Sequence, residues 1–435
     1  MRYRLVVSMG SSFLLTFAAY LQAAEPAVEL SAVTDRPDAM YSVGQQVKFL
    51  ISAKKAGQPV ADGEVVCILD KDGVPPTLTK TVKLLNGTAT VEGTLDEPGF
   101  LRCRATYGAT GKSGPVAMAS AAVDPLKIPP SMSVPDDFDA FWTQQKARLT
   151  AVPMKPTLTP VNAPKGIECF DVEIPCAPPR PVSGYFARPA QAAPKSLPAI
   201  LMVQRAGVFG NSPNDPIGNA KRFNALVLDI NAHGLPNNKP DVFKEIAGTL
   251  GNYADAGRGD REQIYFLGMY LRLTRAMEFL TAQPEWDGKT LIVRGGSQGG
   301  GQAIAAAGLD PRVSFIAANV PALCDHSGCA IGRASGWPGL VPKDADGKPD
   351  AKVLQVARYF DGMNFATRSK AEAIFDVGFI DPHCPPTSIY AMYNNWPGKK
   401  RIVNEIRAGH KYSGGFGDAA IAEHIAASKA AAKQP

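Results

Sequence analysis

The chain has 435 residues, 45% of them hydrophobic and 20% charged, with a formal net charge of +6. That length exceeds what one ordinary core serves, and that balance belongs to a folded globular protein, so two domains are expected and a disordered chain is excluded. The charge is modest and shows no basic block with interleaved aromatics, which excludes nucleic acid as a partner.

Residues 1–24 combine Arg2 and Arg4, an apolar stretch from Leu5 to about Leu21, and the small residues Ala23 and Ala24 before Glu25. This pattern predicts a removable signal peptide and a secreted or periplasmic protein. The apolar part is marginal for spanning a bilayer and is diluted by Ser8, Ser11 and Ser12, so no stable membrane insertion is expected after its removal. From Val28 to Val123 short alternating runs are separated by turn signals such as Lys71-Asp-Gly and Glu97-Pro-Gly. Period-two alternation at this spacing predicts an immunoglobulin-like β-sandwich over residues 25–124. All four tryptophans (142, 286, 337 and 396) lie beyond it, so a spacer or lid is expected there rather than a sugar-binding platform. The seven cysteines leave at least one thiol free in an exported protein; Cys67 and Cys103, in two of the strand-like runs, are expected to pair. A proline-rich linker over residues 125–133 follows.

Val134-Pro-Asp-Asp-Phe-Asp-Ala-Phe-Trp142 opens an amphipathic helix with acids in its first turn. Beyond it, strand candidates run over 168–174, 183–187, 199–203, 225–230, 290–293, 315–318, 373–379 and 401–406. Helical patterns fill several gaps, most clearly 264–280, 302–307 and 387–393. This alternation predicts an α/β domain with a mostly parallel central sheet over residues 134–435. Cys324-Asp-His326-Ser-Gly-Cys329 offers three soft ligands and no fourth nearby, so it reads as a disulfide or free thiols rather than a metal site. The tail from Asp418 to Pro435 is rich in Ala and Lys and predicts a fraying surface helix, with His424 solvated on it.

Within this domain, Thr290-Leu-Ile-Val-Arg-Gly-Gly-Ser297-Gln-Gly-Gly-Gly reads as an apolar strand, a sharp turn carrying one serine, and the start of a small-residue helix. A glycine-rich connector would explain the glycines but not the strand before and the helix after, which together have the layout of a nucleophile elbow. The strained turn leaves no room for side chains two residues either side of the serine, and Gly295 and Gly299 stand there. A serine hydroxyl needs a base. Of the five histidines, His410 follows a late strand and lies in a loop, whereas His233, His326, His383 and His424 do not meet the order serine, acid, histidine. The acid expected to orient it is Asp381, on the loop after the penultimate strand; Asp376 falls inside that strand and reads as structural. An oxyanion hole is expected from the N–H groups of Gln298 and Val208, with Gly207 allowing the backbone to approach.

These stretches carry a resemblance. Pro135-Asp-Asp-Phe-Asp-Ala-Phe-Trp142, Gly295-Gly-Ser-Gln-Gly-Gly300, Tyr359-Phe-Asp-Gly-Met-Asn364, Val377-Gly-Phe-Ile-Asp-Pro-His-Cys-Pro-Pro386, Tyr393-Asn394 and Gly409-His410 resemble the acetyl xylan esterase and cephalosporin C deacetylase family of α/β-hydrolases, over roughly residues 130 to 412. The resemblance implies an α/β-hydrolase fold and a serine esterase that removes acetyl groups from an acetylated oligo- or polysaccharide. Ser297, Asp381 and His410 match the family triad, and no metal or other cofactor is implied. Many members form closed oligomers, which an added domain could obstruct. Two loops depart from the family pattern: Arg205-Ala-Gly-Val208 stands where His-Gly-Tyr is usual, and Asn231-Ala-His-Gly234 stands for an Arg-Gly-Gln-Gly stretch. Two other readings remain open: a peptidase or other acyl hydrolase of the same fold, and a carbohydrate-binding protein on a degenerate hydrolase scaffold.

Overall fold

The structure is a computed structural model that describes residues 27–108, 114–237, 239–411 and 415–431. The expected signal peptide lies outside the described residues. Nine strands fill residues 28–123: β1 (Val28–Thr34), β2 (Met40–Tyr41), β3 (Val47–Lys55), β4 (Gln58–Pro59), β5 (Glu64–Lys71), β6 (Val74–Lys83), β7 (Thr88–Gly93), β8 (Gly99–Tyr107) and β9 (Val116–Val123). They form a four-stranded sheet, with β1, β4 and β7 around β3, and a five-stranded sheet in the order β2-β9-β8-β5-β6. Alternation buries Val47, Phe49 and Ile51 of one sheet against Val65, Leu69 and Leu101 of the other, making a sandwich with its own core.

Cys67 and Cys103 are free thiols, which corrects the expected disulfide. The register sets Cys67 opposite Ala105 and Cys103 opposite Leu69, so the two are diagonal neighbours with their thiols in hydrogen-bond contact. A diagonal pair lies about 7–8 Å apart at Cα, beyond ordinary disulfide reach.

The third sheet has nine strands among the described residues: β10 (Thr157–Val161), β11 (Ile167–Ile174), β12 (Val182–Pro189), β13 (Leu197–Val203), β14 (Leu226–Ile230), β15 (Trp286–Gly296), β16 (Val313–Asn319), β17 (Glu372–Gly378) and β18 (Lys400–Glu405). Their order is β10-β11-β12-β14-β13-β15-β16-β17-β18, antiparallel as far as β14 and parallel from β14 to β18. Every expected strand of this domain is present, and the edge strand β10 is added; Pro160 interrupts its pattern, as an edge position tolerates. Alternate residues face two layers. Leu291 and Val293 join the core under the helices Tyr265–Thr281 and Gln298–Leu309, while Ile292 joins the opposite core with Phe223, Ile421 and Ile425.

That second core corrects the reading of the tail. The helix Asp418–Ala431 buries Ala420, Ile421 and Ile425 against the sheet, and His424 is half-buried with its Nε2 3.0 Å from Ser314 Oγ. An apolar residue every fourth position was enough to dock it.

The sandwich and the α/β unit share packing. Phe100 of β8 is buried with its ring 5.0 Å from Phe379 and 5.6 Å from Tyr390. The linker is pinned as well: Asn394 Nδ2 donates to the carbonyls of Pro125 and Ile128, and Arg333 donates to that of Pro129. No described helix is long and apolar enough to cross a membrane.

Candidate active site

Strand order reverses at β13, whose neighbours β14 and β15 carry the chain in opposite directions. In open α/β sheets the crevice at such a point collects functional loops, and the loops after β13 and β15 meet there. Ser297 follows directly on β15 and caps the helix Gln298–Leu309 with φ 55° and ψ −120°. Such a backbone is strained for a non-glycine residue and persists only when its surroundings fix it. The fixing is visible. Ser297 N donates to Asn319 O, its carbonyl accepts from Ala322 N and Gly301 N, and the chain around it is too crowded for Cβ atoms. A Cβ on Gly295 would stand 2.6 Å from the Gly299 carbonyl carbon, and one on Gly299 would stand 2.5 Å from Val203 O.

Three loops then converge. His410, four residues beyond the loop start after β18, sets Nε2 2.9 Å from Ser297 Oγ and Nδ1 2.7 Å from Asp381 Oδ2. Since a carboxylate only accepts, Nδ1 carries the hydrogen and Nε2 is the acceptor for the serine hydroxyl. Asp381 is buried, and its other oxygen accepts from the backbone N–H of His383 and Cys384, which fixes its orientation. Asp376 lies inside β17 and accepts from Val320 N and Asn319 Nδ2 instead, pinning the loop beyond β16; burial pushes its carboxyl up to about 6. His383 lies ring to ring with His410 at 5.4 Å, and His326 is buried away from this hydrogen-bonded set. Cys324 and Cys329 are free thiols.

Sequence reasoning gave Cys384 no role. Its thiol is buried in contact with Ser297, and burial pushes it well up from its ordinary value. Asp381, Cys384 and His410 offer ligand atoms within 4.8 Å of one another. They are donors that could hold a soft cation, but the imidazole and carboxylate are already committed to each other and the thiol is held protonated.

Gln298 follows the serine directly in the chain, and Val208 lies on the loop after β13. The Gln298 N–H is the first of the helix, where donors lack intrahelical partners, and Val208 is half-buried. Among the described residues neither N–H has an acceptor. Beside the loop after β13 stands a ring cluster of His233, Tyr253 and Tyr265; sequence reasoning recorded His233 as a rejected base and in a departure from a motif, and gave the two tyrosines no role. Burial, with Arg272 and Arg180 nearby, pushes His233 down to about 4. A cavity of about 370 Å³ also opens at the carboxyl ends of β13 to β16, lined by Arg205, Asp229 and Arg294 among others. Neither Ser297 nor His410 lines it, though Gly295 and Gly296 do.

The sequence model described as acetyl xylan esterase matches residues 126–427. The chain belongs to the acetyl xylan esterase family. It is therefore a carboxylic-ester hydrolase, in a family whose substrate class is acetyl esters of carbohydrate. It is 32% identical over 371 residues to the acetyl esterase Axe7A of Xylanibacter ruminicola, covering 83% of this chain and 82% of that protein. Among solved structures it is similar to the acetyl xylan esterase from Paenibacillus sp. R4, at 27% identity and a TM-score of 0.59, covering 70% of this chain and 98% of that one. It shares the fold of acetyl xylan esterase 1 from Thermoanaerobacterium sp. JW/SL YS485, with a TM-score of 0.58 at 22% identity, over 69% of this chain and 97% of that one. The α/β-hydrolase-like fold read from the strand pattern is thus the family's fold.

Proposed function

We propose that this chain is an exported serine esterase that removes acetyl groups from sugar hydroxyls through Ser297, His410 and Asp381. The observation that carries the reading is the single imidazole hydrogen-bonded to both Ser297 Oγ and Asp381 Oδ2. In the first half-reaction Ser297 Oγ attacks the acetyl carbonyl carbon while its proton passes to His410 Nε2. The oxygen of the tetrahedral intermediate accepts from the N–H groups of Val208 and Gln298. When it collapses, His410 returns the proton to the departing sugar oxygen, leaving an acetyl-serine. Water then attacks that ester with the same imidazole as base, releasing acetate. Asp381 holds the tautomer and stabilises the imidazolium that forms.

Export is part of this reading, supported by the pattern of residues 1–24, and an acetylated oligo- or polysaccharide is the substrate that the family supports. The sandwich is read as immunoglobulin-type, with its two sheets and separate core in support. Acetate release from acetylated oligosaccharides, and p-nitrophenol release from its acetate ester, test the activity. Ser297→Ala is expected to lose at least about a thousandfold in turnover; an alanine variant that keeps its rate overturns the assignment.

A further inference from the structure

The two loops that depart from the family pattern, 205–208 and 231–234, touch each other. We infer that Asn231 and His233 are positioning residues that clamp the 207–209 backbone and thereby aim the Val208 N–H at the reacting carbonyl oxygen. This rests on the proposed esterase reading and deepens it, because it assigns the second oxyanion donor a support of its own.

The described cis bonds are Pro178-Pro179 and Trp337-Pro338, so the Gly207-Val208 peptide is trans, and its carbonyl and N–H point in opposite directions. Fixing the Gly207 oxygen therefore fixes the direction of the Val208 hydrogen. His233 Nε2 lies 3.0 Å from that oxygen. A carbonyl only accepts, so Nε2 carries the hydrogen and Nδ1 is left as the acceptor for the Tyr265 hydroxyl at 2.7 Å. Tyr265 in turn accepts from Arg180 at 3.3 Å. The donors thus run in one direction, from Arg180 through Tyr265 and His233 to Gly207, and such chains reinforce one another.

Asn231 takes the other side of Val208. Its Nδ2 donates to Phe209 O at 3.4 Å while its Oδ1 accepts from His233 N at 2.9 Å, so the carbonyls before and after Val208 are held by one tripeptide. Gln204 Nε2 adds a second donor to Phe209 O at 3.0 Å. Tyr253 joins the two halves of the hole. Its ring packs edge-on to His233 at 4.7 Å, and its hydroxyl donates to the side chain of Gln298 and faces the backbone N–H of Gly207. His233 is fully buried and faces Arg180, Arg272, Tyr253 and Tyr265, with no carboxylate among these neighbours to favour its charged form. It therefore holds the loop as a neutral imidazole and takes no part in proton transfer to substrate.

The test uses the full chain. His233→Leu is expected to lower kcat about a hundredfold with KM changed less than about threefold, because the lost interaction belongs to the transition state. Affinity for phenylboronic acid, whose serine adduct carries a tetrahedral oxygen in the hole, should fall in parallel, while the acid limb of the kcat/KM profile stays where wild type has it. His233→Gln retains a donor for Gly207 and an acceptor for Tyr265, and should recover kcat to within about fivefold of wild type. A folded leucine variant with kcat within twofold of wild type overturns the inference, and so does a loss of kcat with unchanged boronate affinity. Where His233→Leu fails to fold, Asn231→Ala and Tyr265→Phe decide, each expected to lower kcat and boronate affinity together by about three- to tenfold; unchanged values in both overturn it. Failure of the esterase reading itself is distinguishable, since it shows as absent wild-type hydrolysis or an active Ser297→Ala variant.

Discussion

On one side of the Ser297 hydroxyl, Asp381 and His410 meet through direct side-chain hydrogen bonds, each supplied by a loop that leaves the end of a parallel strand. On the other side the proposed oxyanion donors are two backbone N–H groups, those of Gln298 and Val208; near them His233 is hydrogen-bonded to the Gly207 carbonyl, Asn231 to that of Phe209 and Tyr253 to the side chain of Gln298. The acid–base side depends on the identity of three residues. The oxyanion side depends on conformation, so its side chains can differ between relatives as long as the same carbonyls are held.

Breaking the acid–base side should have the largest effect. His410→Ala is expected to match Ser297→Ala in the loss of turnover, and the double variant to be no worse than either, because residues that act as a unit are not additive. Single-turnover rates with p-nitrophenyl acetate check this. Asp381→Asn keeps the shape but offers His410 Nδ1 the wrong partner, and should cost on the order of 10³ to 10⁴ in kcat. Both effects exceed the hundredfold expected at His233.

The elbow lies between the two sides. Gly299→Ala places a methyl group 2.5 Å from the Val203 carbonyl oxygen, so backbone must move. A lower melting temperature and reduced fluorophosphonate labelling of Ser297 are expected together. Labelling of the variant at the wild-type rate would show that the crowding is not what holds the serine.

Acid sensitivity sharpens the comparison by stability. His233 and His326 are fully buried, and burial pushes each down to about 4. Depressed histidines contribute stability that is complete above their unfolded value near 6.5 and is lost as pH falls toward 4, since the unfolded chain takes up the protons first. For His233 this amounts to roughly 3 kcal/mol across that window. Urea unfolding of His233→Gln between pH 7 and 4.5 should show a shallower loss than wild type. The smallest expected effect on catalysis comes from the sandwich contact. Phe100→Ala should destabilise by about 3–5 kcal/mol and shift kcat only slightly, because Phe379 stands two residues before Asp381 and Asp381 keeps its own backbone donors.

Much of the site was legible because local chemistry constrains it. The glycines around Ser297 are forced by contacts within one turn, and the order of serine, acid and histidine follows from loops at the ends of successive strands. The central strands were legible from their apolar runs. The helix after Ser297 begins at Gln298, ahead of the expected start at 302, because its glycines pack tightly against the neighbouring backbone instead of breaking the turn. His424 and the tail helix were misread because an alanine-rich segment has too weak a pattern to reveal which face the sheet will cover.

The amino-acid sequence by itself determined the alternation of strands and helices and the strained serine turn, and it singled out Asp381 and His410 by their place on loops after late strands, since each is written in spacing that the backbone obeys locally. Tertiary structure alone decided the diagonal placement of Cys67 and Cys103, the docking of Phe100 beside the Asp381 loop, and the hydrogen bond of His233 to the Gly207 carbonyl. Those depend on sheet register and on segments distant in sequence meeting in a dry interior, where a hydrogen bond's direction is set by whatever neighbour the fold supplies.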